Sequence, residues 1–137
     1  MPAYPVYIVL DTQKEFVGFI PTASNSHIIV NKSGIYENGK FVRLPDATWR
    51  WGCGGVVTYI AWGQYYAFDL CCPNCASLRI ACEMNGLFAE CPRCGEQYDL
   101  STGVANPRNG IARESLRKLP MSVISYSDNA KVITIKQ

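Results

Sequence analysis

Cys72-Pro73-Asn74-Cys75 and, fifteen residues later, Cys91-Pro92-Arg93-Cys94-Gly95 are the stretch on which the reading of this chain turns. Two C-x-x-C pairs at this separation carry the ligand spacing of a four-thiolate metal site. The intervening residues suggest how the pairs meet. Leu78 to Cys82 and Leu87 to Cys91 read as strands, with Asn85-Gly86 between them. Asn-Gly is the favoured two-residue type I′ turn, because both central residues need φ > 0. Closing the hairpin there puts Ile80 opposite Cys91 and Ser77 opposite Cys94, so Cys72, Cys75, Cys91 and Cys94 converge at the open end of the ribbon. Pro73 and Pro92 fix φ inside each loop, and Gly95 suits a strained position just after the second.

The other cysteines do not fit the same scheme. The chain has seven, and Cys53, Cys71 and Cys82 are left over. An odd set argues against a framework held only by disulfides. The three read as small buried hydrophobes, with Cys71 as a competitor for the metal by its position next to Cys72.

At 137 residues the chain fits one domain, residues 1–137, able to bury a real core. Apolar residues make up 48% and charged ones 18%, a globular balance. The net charge of +2 gives no push toward nucleic acid or an acidic membrane surface. No apolar run reaches the roughly eighteen residues of a membrane helix. Met1-Pro2-Ala3-Tyr4-Pro5 lacks the pattern of a signal peptide. A chain with its export signal removed would look the same, so the sequence leaves the compartment open between a bacterial envelope and the cytoplasm.

Short strands dominate the rest. Val6 to Leu10, Phe16 to Ile20 and Ile28 to Val30 are candidates near the N-terminus, and Tyr36 to Phe41 holds a second Asn-Gly hairpin signal. Trp49 and Trp51, two apart, read as same-face core residues. Gly52-Cys53-Gly54-Gly55 lacks the Lys-Ser/Thr of a phosphate loop. Val56 to Trp62 and Tyr65 to Leu70 flank Gly63-Gln64, which suits a type II′ hairpin leading into Cys71-Cys72. Ala112 to Lys118 reads as one helical turn with a solvated basic face. Met121 to Tyr126 and Lys131 to Lys136 close the chain as strands. This pattern predicts an all-β sandwich or barrel, with a metal-binding subdomain at about residues 71–100.

Three blocks then look familiar: Tyr66-Ala67-Phe68-Asp69-Leu70-Cys71-Cys72-Pro73-Asn74, Gly86-Leu87-Phe88-Ala89-Glu90-Cys91-Pro92-Arg93-Cys94-Gly95, and Tyr98-Asp99-Leu100-Ser101-Thr102-Gly103. Together they resemble the Rieske iron–sulfur domain, with its C-P-H and C-P-x-H-G loops. The resemblance runs from about Val56 to Lys136. Gly52 to Val57 is similar, more weakly, to small Rieske-like proteins of bacterial envelopes. The family implies a β-sandwich and a cluster held by two Cys and two His. Here Cys72 and Cys91 match the two cysteines, Asn74 stands in the first histidine position and Cys94 in the second. Cys75 takes over the missing ligand. His27 is the only histidine, so two-His ligation within the chain is impossible.

Four soft sulfur ligands favour Zn²⁺, mononuclear iron or an all-cysteine [2Fe–2S] cluster over Mg²⁺ or Ca²⁺. The expectation is a structural Zn²⁺ (or Fe) module without Rieske electron transfer. The alternative is a ferredoxin-like electron carrier, or an oxygenase ferredoxin component, and the expected partner is a redox or structural protein. No catalytic constellation is visible. Asp69, Glu83, Glu90, Glu96 and Asp99 lie near the site in sequence and read as solvated strand-end residues.

Overall fold

In the computed structural model, residues 4–127 and 130–137 are described. The chain is all-β. Its first half forms β1 (Val6–Asp11), β2 (His27–Asn31), β3 (Gly34–Glu37), β4 (Lys40–Arg43) and β5 (Arg50–Trp51). The central hairpin is β6 (Val56–Ala61) and β7 (Gln64–Asp69). Three short strands follow, β8 (Glu83–Asn85), β9 (Phe88–Glu90) and β10 (Gln97–Asp99). The chain ends through β11 (Asn106–Pro107), β12 (Met121–Ser127) and β13 (Ala130–Lys136).

These strands make three antiparallel sheets, ordered β12-β13-β1-β5, β4-β3-β2-β6-β7 and β11-β10-β9-β8. The middle sheet is shared by two cores, and β6 shows why. All six of its residues are buried. Val56 and Ile60 enter one core with Val6, Ile8 and Leu10 of β1 and Ile133 and Ile135 of β13. Val57, Tyr59 and Ala61 enter the other, with Phe68, Leu70, Ala89, Tyr98 and the cysteine loops. Successive side chains on a strand point to opposite faces, so a near-continuous apolar run belongs between two layers.

Several sequence expectations need correction. Phe16 to Ile20 is not a strand but a turn segment, and it supplies Phe16 and Phe19 to the first core. Ala112 to Lys118 forms no helical turn. Its backbone is taken by long-range partners instead: the Leu116 N–H donates to the Ala105 carbonyl, and Lys118 bridges to Phe68. Both hairpin turns around the site are displaced by one residue. β6 and β7 pair with Ala61 opposite Gln64, so the turn is Trp62-Gly63, both at positive φ (56° and 70°). β8 and β9 pair with Asn85 opposite Phe88, so the turn is Gly86-Leu87. Leu78 to Cys82 is no strand: residues 73–78 form two short 3₁₀ turns joined by a kink at Cys75, and Ala81 meets Cys71 in an isolated bridge.

Other expectations hold. Trp49 is buried in the first core and Trp51 packs against it. The Asn38-Gly39 hairpin joins β3 to β4. Among the described residues, no helix is long and apolar enough to cross a membrane.

Candidate metal centre

Two differently built loops deliver the thiols. The first leaves β7 and winds through Pro73–Leu78, two short 3₁₀ turns kinked at Cys75, where the Cys75 N–H donates to the Cys72 carbonyl at 3.1 Å. The second connects β9 to β10. There the Gly95 N–H donates to the Cys91 carbonyl at 3.0 Å, and Gly95 takes φ +81°, which a residue without Cβ adopts at little cost. The Cys72 N–H donates to the Ile80 carbonyl at 2.9 Å and fixes the root of the first loop.

The Sγ atoms of Cys72, Cys75, Cys91 and Cys94 all lie within 4.8 Å of one another. The Cys72–Cys94 and Cys75–Cys91 separations are both 3.8 Å. A tetrahedron with metal–sulfur bonds of about 2.3 Å has edges of about 3.8 Å. Cys72, Cys75 and Cys91 are buried and Cys94 is partly exposed.

Neighbouring groups are placed to favour sulfur anions. The Tyr98 hydroxyl lies 3.2 Å from Cys72 Sγ, and the Cys94 N–H donates to Cys91 Sγ at 3.5 Å. Arg93 brings a guanidinium nitrogen to 3.9 Å from Cys75 Sγ. Burial pushes the Cys72 thiol up to about 12, and the Tyr98 hydroxyl acts against it. Burial also raises Cys75, despite Arg93. At Cys94 burial pulls upward too, but the Glu96 N–H and the Asn74 side chain outweigh it and bring the thiol down to about 7. Ligation therefore releases protons from the buried thiols, and a cation must supply the energy that desolvation withholds.

Two carboxylates brace the loops, and both overturn the expectation of solvated strand-end acids. Asp69 is buried and accepts from the Gly54 N–H at 3.0 Å, the Cys71 N–H at 2.9 Å and the Cys53 N–H at 2.9 Å. Glu96 is fully buried. Its Oε1 accepts from the Gln97 and Asn109 N–H groups at 2.9 and 2.8 Å, and its Oε2 from Ile111 and Ala112 at 2.7 and 2.8 Å. Burial alone would raise the Glu96 carboxyl, but these backbone donors hold it below its ordinary value. Of the other acids, Asp99 caps the turn at Leu100–Thr102 through the Ser101 N–H, and Glu90 accepts from Gln97.

The leftover cysteines divide. Cys82 is buried in the second core, as expected of a small hydrophobe. Cys53 and Cys71 instead form a disulfide with Cα atoms 5.5 Å apart, so Cys71 does not compete for the site. The glycine-rich stretch makes this possible. A Cβ on Gly52 would stand 2.5 Å from Asp69 Oδ2, and one on Gly54 would stand 2.6 Å from the Cys71 nitrogen. Glycine is used here for close backbone approach, not for phosphate.

Sequence reasoning found the four thiols but missed Asp69, Glu96, Tyr98, Arg93 and the disulfide. Local pattern carried no signal for them, because each acts on residues distant in sequence or on a sulfur placed by folding.

No family model matches the chain, and no curated protein matches it. Among solved structures it is similar to the Sphingomonas yanoikuyae B1 ferredoxin, with 13% identity and a TM-score of 0.41, over 86% of this chain and 93% of that chain.

Proposed function

We propose that the chain is a single-domain, Rieske-like module in which Cys72, Cys75, Cys91 and Cys94 bind one metal ion, Zn²⁺ or mononuclear iron, in a structural role. The observation that carries this is the sulfur geometry: all four sulfurs lie within 4.8 Å of one another, close enough to share one ion. A [2Fe–2S] cluster places a second iron and two sulfides between its thiolate pairs. That sets sulfurs on different irons farther apart than sulfurs sharing one ion. The same four residues would have to open to accept it, which makes the electron-carrier reading the weaker one.

A closed four-thiolate site leaves no position for water or substrate, so the metal acts as a clamp. It ties the first loop, at the end of β7, to the second, between β9 and β10. Tyr98, Arg93 and the Cys94 N–H temper the excess negative charge of four thiolates, as outer-shell partners of metal sites do.

Elemental analysis with a visible spectrum of freshly purified protein tests this. The expected result is one metal per chain and either no visible absorption (zinc) or the absorption of a single iron–thiolate centre. Two irons with inorganic sulfide, and bleaching by dithionite, would instead establish the [2Fe–2S] electron carrier.

A further inference from the structure

The four thiols differ in exposure, and two close contacts between them cross from one loop to the other. Cys94 alone among them is partly exposed, while Cys72, Cys75 and Cys91 are buried. Cys94 lies 3.8 Å from Cys72, and Cys75 lies 3.8 Å from Cys91. Each of these pairs joins the first loop to the second. Neither is a C-x-x-C pair, which would crosslink one loop to itself.

We propose that Cys94 is the point of peroxide attack on this site, and that oxidation closes Cys72–Cys94 and Cys75–Cys91 as cross-loop disulfides and expels the metal. The proposal rests on the metal-binding reading and adds how that site is discharged.

The chemistry balances with hydrogen peroxide as the oxidant. The Cys94 sulfur attacks one peroxide oxygen, the O–O bond breaks, and hydroxide leaves, giving a sulfenic acid and breaking the metal–Cys94 bond. Cys72, as thiolate, then attacks Cys94 Sγ; the S–S bond forms, the S–O bond breaks, and a second hydroxide leaves. Two thiolates are oxidised by two electrons in all, and one peroxide is reduced. A second peroxide closes Cys75–Cys91 in the same way, and an ion without thiolates departs.

The pairing has a structural consequence. Bridges spanning 22 and 16 residues hold the two loops together just where the metal held them. A bridge inside one C-x-x-C loop constrains nothing between loops. The oxidised, metal-free form therefore keeps its second core. The Cys53–Cys71 disulfide directly precedes Cys72 and shows that oxidation of this region is compatible with the fold. Buried Cys82 packs in the same core and is the competing thiol for Cys72.

The test treats protein as isolated, with Cys53–Cys71 intact, and the Cys82→Ser variant with hydrogen peroxide. Metal content is measured first, then metal release with a chelating dye, free thiols by titration, and disulfide connectivity by peptide mass mapping. Expected in both proteins is loss of the metal together with four thiols, with bonds 72–94 and 75–91. Retention of metal in a loaded protein, within-loop bonds, a 72–82 bond, or Cys94 overoxidised without a bridge overturns the proposal. Protein that holds no metal before peroxide overturns the metal reading and the release step together. Its bond connectivity still decides the cross-loop pairing.

Discussion

Glu96 shows how much one buried side chain organises. Its two oxygens each take two backbone N–H groups, from residues on either side of the 98–108 excursion. Glu96→Gln keeps one carbonyl oxygen and turns an NH₂ group toward two donors. We expect a loss of about 3 kcal/mol, read from urea unfolding, since each buried donor left unpaired costs about 1–3 kcal/mol. His27 offers a second residue-scale prediction. Its ring stacks on Tyr59 with centroids 6.3 Å apart, its Nδ1 is buried without a partner, and burial lowers its pKa below 6.5. The unfolded chain therefore binds the proton more readily than the folded one. The contribution of His27 to stability is full above pH 6.5 and is lost as pH falls through the folded pKa. As the only histidine, it gives one unambiguous imidazole resonance. An NMR titration should find its midpoint below 6.5; a midpoint above that value contradicts the burial argument.

β6 is the element on which both cores depend. Ile60→Ala and Val57→Ala remove side chains from opposite faces of the same strand. Each should cost about 2–4 kcal/mol, by lost burial and the cavity left behind. Only Val57→Ala, which faces the cysteine loops, should also speed metal loss to a competing chelator. Equal metal retention in the two variants would show that the cores do not act separately. The hairpin turns argue the same point from the other direction. Exposed Trp62 adopts φ 56°, a conformation its side chain disfavours. The register it allows puts Asp69 opposite Val56, where its carboxylate meets the N–H groups of Cys53 and Gly54. Three charge-assisted bonds to Asp69 outweigh the local preference of one exposed turn residue.

At the scale of the whole molecule, the metal site and the Cys53–Cys71 disulfide meet at adjacent residues, Cys71 and Cys72, but reach to different segments. Chelation of the metal should leave amides of β1 and β13 protected from hydrogen exchange and expose those of residues 83–107, because only the second core contains the cysteine loops. Uniform loss of protection would mean one cooperative unit. Breaking Cys53–Cys71 by Cys53→Ser with Cys71→Ser opens a closure of 18 residues. It should cost roughly 3 kcal/mol in chemical unfolding, the scale of loop entropy returned to the unfolded chain.

The sequence by itself determined the all-β class, the placement of most strands and the identity of the four clustered thiols. Alternation, Asn-Gly pairs and C-P-x-C spacing are local signals, set by the strand period and by which residues tolerate positive φ. Only the tertiary structure decided the turn registers, the burial of Asp69 and Glu96, the Cys53–Cys71 bond and the absence of the strand expected at Leu78 to Cys82. The long-range carboxylate contacts and the disulfide join residues 13 or more apart, and such partners are not encoded in a window of neighbouring residues.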